Sequence, residues 1–344
     1  MQTEIIWVDD EKIEEGKLRR AAAYIKDGGL CAFPTETVYG LGADAFNETA
    51  VRNIFRAKGR PSDNPLIVHI SDFSMVNRIA AEITPAARQV MEAFMPGPIT
   101  VILKRTPEIS DAVTAGLDTV AIRFPSNPQA AALIRLAGTP IAAPSANLSG
   151  KPSPTAARHV IEDMNGRVDC ILAGGDCSEG VESTVVDMTG ERPMILRPGV
   201  VTPEQLRQII PDVGIDPHVL KEAAPGESPK CPGMKYKHYA PDAMVTVVEG
   251  EPEAVRQEIA ARLKQCSGKT GVIRFSDATY EADVVLDAGR TNKEYAANLF
   301  SLLRRLDELG VETAFAEFRE EDGFGLAVKN RLYKAAAGRV IRLS

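Results

Sequence analysis

The feature that most limits how these 344 residues can fold is a break in rhythm between about Gly214 and Lys230. On either side of it, short apolar runs alternate with helix-period patterns. Within it, periodicity fades while prolines, glycine and charges accumulate, as they do in linkers. The chain is therefore expected to form two α/β units rather than one long core, in keeping with its length. Before the break, apolar runs predict strands near 30–34, 65–70, 99–104, 119–124, 140–143, 169–172 and 182–188. Thr84-Pro85 and Ser153-Pro154 each place a hydroxyl before a proline, which predicts two helix starts. Some strands are adjacent and others are separated by helices, so a twisted, open, mixed sheet is expected. After the break, strands near 244–248, 270–275, 282–286 and 313–318 alternate with helices near 252–265, 292–309 and 326–337. That alternation predicts a small parallel sheet.

Charge narrows the partners. The net charge is −7 from 40 basic and 47 acidic residues, against a general binder of the phosphate backbone, which needs a basic face. No stretch has the apolar length of a membrane span, and residues 1–12 do not read as a secretory signal. The expected location is cytoplasmic. Five widely spaced cysteines without a C-x-x-C pair indicate reduced thiols rather than a disulfide framework or zinc site.

Two nucleotide-binding signatures fail on inspection. Gly268-Lys269-Thr270 ends like a phosphate-binding loop, but Leu263 stands where its first glycine belongs. Gly40 to Ala45 fits a loose G-x-G-x-x-A without following a strand directly or opening a helix. Other segments carry more chemistry. FPTETVYGLG at 33–42 sets hydroxyls and a carboxylate between an apolar run and paired glycines, which permit close backbone approach. Lys58 and Arg60 fall where a helix gives way to a Gly- and Pro-rich loop, so both can face one anion. His69 ends a predicted strand. Ser145 and Asn147 follow another, leading to Ser153, which reads equally as a helix cap. GVEST at 180–184 and LRPG at 196–199 are further polar turns, and PGMKYKHYAP at 232–241 is too specific in composition for a passive spacer.

Taken in order, FPTETVYGLG, the K-x-R of Lys58 and Arg60, DNPLIVHI, the S-x-N of Ser145 and Asn147, GVESTV and LRPG resemble the YrdC-like domain family. With PGMKYKHYAP and the alternating C-terminal part, the whole resembles the two-domain threonylcarbamoyl-AMP synthases. The resemblance implies a YrdC-like catalytic domain over 1–205, a linker or lid over 206–241 and a Rossmann-like domain over 242–344. It implies a nucleotidyltransferase that joins L-threonine, bicarbonate or CO2, and ATP into threonylcarbamoyl-AMP and pyrophosphate. A separate complex then transfers the threonylcarbamoyl group to adenosine in tRNA; direct tRNA contact is not required. Carried residue by residue, the threonine pocket falls on Thr37, His69, Arg123, Ala143 and Ser183. The nucleotide side falls on Lys58, Arg60, Asn64, Thr119, Ser145, Asn147, Ser153, Arg197 and Tyr236, with Lys58, Arg60, Ser145 and Asn147 catalytic.

Mg2+ is expected to arrive on the ATP phosphates, with no protein-held metal. Threonine's amine must be neutral to capture CO2, so the site is expected to grip the carboxylate and leave the amine without a strong anionic partner. The alternative reading, a double-stranded RNA-binding protein using Arg52 to Arg60, conflicts with the overall acidity.

Overall fold

A computed structural model describes residues 1–219, 239–319 and 323–343. Tyr236, and with it most of the PGMKYKHYAP segment, lies outside the described residues. The chain divides into two compact units. The first comprises Met1–Ser149, Ser153–Ser178 and Glu182–Lys235, and the second Gly150–Pro152, Glu179–Val181 and Tyr236–Ser344.

The first unit is built on eleven strands: β1 (Glu4–Trp7), β2 (Cys31–Phe33), β3 (Gly40–Asp44), β4 (Ile67–His69), β5 (Ile99–Lys104), β6 (Thr119–Arg123), β7 (Ile141–Ala143), β8 (Cys170–Ala173), β9 (Thr184–Asp187), β10 (Met194–Arg197) and β11 (Gly214–Ile215). Their order is β1-β8-β2-β3-β7-β4-β6-β5-β9-β10-β11. The sheet is mixed, as expected: β4 and β6 run parallel, while β4 with β7 and β5 with β6 run antiparallel. Helices Glu15–Lys26 and Pro128–Ala137 bury Leu18, Ile25 and Leu133 in one apolar cluster with Phe33 and Leu172. A larger cluster gathers Leu41, Ile54, Val68, Val101 and Ile122.

Three local expectations change. Gly40 and Gly42 belong to a strand where none was predicted. A Cβ at Gly42 would stand 2.6 Å from Ile141 Cγ2 and 2.8 Å from Phe33 Cε1, so glycine is what lets β3 fit beside its neighbours. Thr84 does cap the helix Pro85–Phe94, but Ser153 caps nothing. The next helix is Ala157–Met164, and the Ser153 hydroxyl is donated to Glu182 instead. The segment expected to begin a linker at 206 starts with the end of the helix Pro203–Ile209 and the edge strand β11, parallel to β10.

In the second unit, β12 (Met244–Glu249), β13 (Thr270–Arg274), β14 (Val284–Asp287), β15 (Thr313–Phe318) and β16 (Val340–Arg342) form a sheet in the order β14-β13-β15-β12-β16. Every pairing is parallel. The helix Asn292–Glu308 opens on a capping box made by Thr291 and Glu294 and buries Tyr295, Leu299, Leu303 and Leu306. Among the described residues no helix is long and apolar enough to cross a membrane.

Candidate active site

The site is laid out by strand register. Five neighbouring strands, β7-β4-β6-β5-β9, place Ala143 opposite Ile67, Ile67 opposite Ala121, His69 opposite Arg123 and Ala121 opposite Ile102. Because side chains alternate along a strand, one face carries Ile67 and His69 on β4 and Thr119, Ala121 and Arg123 on β6. Ile67, Ala121, Ile102, Val185 and Leu196 form their own apolar cluster. The polar side chains of this face are thus set around an apolar floor.

Lys58 is aimed by a helix end. Asn47 caps the helix Glu48–Lys58, whose buried face includes Val51, Ile54 and Phe55, and Gly59 ends it in the left-handed conformation at φ +62°. The Lys58 side chain is buried, and Nζ donates to the carbonyl of Ser145, to the carbonyl of Asn147 at 2.5 Å and toward Asn147 Oδ1 at 3.4 Å. Ser145 Oγ donates to Asn147 Oδ1 at 2.5 Å. The loop holding these two residues is pinned to β3, with Ala146 N donating to Tyr39 O at 2.8 Å and Gly40 bridging Ser145. Arg60 Nη2 donates to the carbonyls of Asn64 and Pro65, both at 3.3 Å. Asn64 is 1% exposed, yet neither its amide oxygen nor its nitrogen has a hydrogen-bond partner. Buried amides are seldom left so without a ligand or water.

Around Arg123 the arrangement differs from expectation. Its Nη2 lies 2.7 Å from Glu36 Oε1, with both side chains buried, and 3.5 Å from Thr35 Oγ1. Thr35 Oγ1 donates to Val38 O, and Thr37 Oγ1 lies 3.0 Å away from it. An anion therefore does stand at this end of the site. Glu36 was missed as a functional candidate although it is the carboxylate at the centre of PTETV, because its partner is far along the chain. Glu182 was missed for the same reason: it accepts from Ser153 Oγ at 2.6 Å. Ser183 Oγ lies 2.7 Å from Thr100 Oγ1 and accepts from Arg197 Nη2 at 3.1 Å, while Arg197 Nε donates to Ser183 O. The structure thus joins Lys58 with Ser145 and Asn147, Arg123 with the Thr35–Thr37 turn and His69, and Ser183 with Arg197. Thr119 stands at the other end of β6 from Arg123, about 13 Å away by strand rise.

His69 Nδ1 donates to Ile67 O at 3.1 Å. Burial first, and the Arg123 guanidinium second, hold the imidazole well below its ordinary range, at about 3. The sign of the pH effect follows. The unfolded chain protonates this histidine near pH 6.5 while the folded one does not, so between about pH 6.5 and 3 the unfolded state binds more protons and stability falls as pH is lowered. Replacing His69 with glutamine should make that decline shallower, measured as the denaturation midpoint from pH 7 to 4. A decline parallel to the parent protein's would mean that His69 is not held neutral.

The first unit is thus a mixed α/β sheet protein in which buried cations, hydroxyls and amides gather at the ends of strands and helices. Comparison with known proteins makes this specific. The Sua5/YciO/YrdC family model, described as telomere recombination, matches residues 23–199, and one described as "Threonylcarbamoyl-AMP synthase, C-terminal domain" matches 201–337. The threonylcarbamoyl-AMP synthase of Pyrococcus abyssi is 49% identical over 97% of this chain and 98% of its own length. That of Bacillus subtilis is 46% identical over 97% of both chains. The crystal structure of P. abyssi Sua5 complexed with L-threonine superposes with a TM-score of 0.95 at 49% identity, covering 99% of this chain and 100% of that one. The chain belongs to the threonylcarbamoyl-AMP synthase family.

Proposed function

We propose that this enzyme is a nucleotidyltransferase that makes threonylcarbamoyl-AMP and pyrophosphate from L-threonine, bicarbonate or CO2, and ATP, for threonylcarbamoyl-adenosine modification of tRNA. The observation that carries the reading is the meeting of Lys58 with Ser145 and Asn147, from separate segments of the chain, within hydrogen-bond distance. The names of its relatives support the same chemistry, as does the threonine complex of a relative with the same fold.

In this reading Arg123 takes the threonine carboxylate in a charge-assisted contact, and Thr37, Ala143 and Ser183 shape the pocket around it. His69 positions the substrate; an imidazole so reluctant to protonate is a poor base. Once the amine has captured CO2, a carbamate oxygen attacks the α-phosphorus of ATP and pyrophosphate leaves. Charge gathers on the phosphoryl oxygens during that displacement, and Lys58 and Arg60 are the preorganised cations that meet it. Asn64, Thr119, Ser145, Asn147, Ser153, Arg197 and Tyr236 complete the nucleotide side. Mg2+ carried by the ATP phosphates would neutralise part of their charge. Among the described residues no three His, Cys, Asp or Glu side chains are grouped to hold a metal. The product would pass to a complex that transfers the threonylcarbamoyl group to tRNA.

Pyrophosphate release from ATP tests this directly. Release should require threonine and bicarbonate together. Release that ignores threonine, or none with all three substrates and Mg2+ present, would overturn the assignment.

A further inference from the structure

We propose that Glu36 and Arg123 form a two-part receptor for the zwitterion of the amino acid, with Glu36 holding the ammonium and Arg123 the carboxylate. This deepens the threonine-site reading above and rests on it.

Glu36 and Arg123 are 8% and 4% exposed, and their closest charged atoms are 2.7 Å apart. A buried ion pair kept only for structure needs its remaining polar atoms satisfied, since each one left over costs free energy in a low-dielectric interior. Here they are not. Glu36 Oε2 and Arg123 Nε are both buried without a hydrogen-bond partner, and Oε1 makes its ion pair without hydrogen-bond geometry. One unfilled acceptor on a carboxylate and one unfilled donor on the guanidinium beside it match a ligand that carries its own ammonium and carboxylate on a single carbon. The pair is net neutral, so neither partner is left as a lone buried charge. Beside it, neutral His69 adds no second positive charge to compete for Glu36.

The contact suits the chemistry as well as the binding. The ammonium, the neutral amine and the carbamate each keep an N–H that can donate to the same carboxylate. Glu36 can therefore orient the nitrogen throughout, although only its charged form gains the full ion-pair energy. The arrangement also selects against ligands lacking either charge, because one half of the buried pair would stay unsatisfied.

The test uses calorimetry on the full chain with two ligands, L-threonine and 2,3-dihydroxybutanoate, in which a hydroxyl replaces the amine. The wild-type protein should prefer threonine by about tenfold or more. In Glu36→Gln, threonine should bind about tenfold more weakly while the hydroxy acid changes little, so the preference collapses. ATP binding should remain as in the wild type. Glu36→Asp, which keeps the charge, should keep the preference for threonine; it also decides the matter if the glutamine variant does not fold. Equal weakening of both ligands in Glu36→Gln would make Glu36 a support for Arg123 only and overturn the proposal. So would unchanged threonine affinity in Glu36→Gln, or loss of the preference in Glu36→Asp. A wild-type protein that binds no threonine would instead refute the threonine-site reading itself.

Discussion

Replacing Lys58 with alanine should lower threonine-dependent pyrophosphate release by about a hundredfold or more, the usual cost of removing one preorganised donor from a transition state. The reason is positional. The ammonium group is buried at the end of a capped helix and held by the carbonyls of Ser145 and Asn147, so its charge sits in a low-dielectric place before any substrate arrives. Water could not replace it without reorganising at the moment of reaction. Arg60→Ala should act in the same direction. Lys58→Arg is not a conservative exchange here, because a planar fork cannot occupy the three-donor position of an ammonium. Threonine affinity should stay within about threefold of the wild type in Lys58→Ala if the effect lies on the nucleotide side. Near-normal turnover in both alanine variants would remove these cations from the chemistry.

How much of this was legible in the sequence depended on whether the deciding contacts were local. Strands Ile99–Lys104 and Thr313–Phe318 fall where their apolar runs predicted, because each run is long enough to read by itself. Strand Gly40–Asp44 did not, since glycine normally weakens a strand and only its neighbours Phe33 and Ile141 explain why it is needed. Strand Met194–Arg197 was hidden by the turn that follows it in LRPG. Glu4–Trp7, among charged residues, gains its meaning only from pairing with Cys170–Ala173. Ser153-Pro154 had the right residue types for a helix start, yet the hydroxyl is claimed by Glu182.

The same division runs through the site. Lys58, Ser145 and Asn147 could be picked out because cations, hydroxyls and amides at element ends are informative before folding is known. What could not be read was that Glu36, inside a motif already singled out, would reach Arg123. That pairing depends on the turn through Thr35 and Thr37 meeting the end of β6, which no local pattern encodes.

Arg123 carries the second large effect, and it should appear in stability as well as activity. Arg123→Leu removes the guanidinium and leaves the Glu36 carboxylate buried beside an alkyl group, which typically costs about 3–5 kcal/mol when one partner of a buried pair is lost. Denaturant unfolding would measure it. The double variant Glu36→Leu with Arg123→Leu replaces the pair with apolar side chains and should recover much of that loss, since well-packed apolar substitutes for buried ion pairs are often close to neutral. A double-mutant cycle should therefore be strongly non-additive. Threonine-dependent turnover should be lost in the single and the double variant alike, because neither keeps the donor for the substrate carboxylate. Recovered stability with absent activity would separate the two duties of this ion pair. If the losses simply added, Glu36 and Arg123 would not be energetically coupled, whatever their distance.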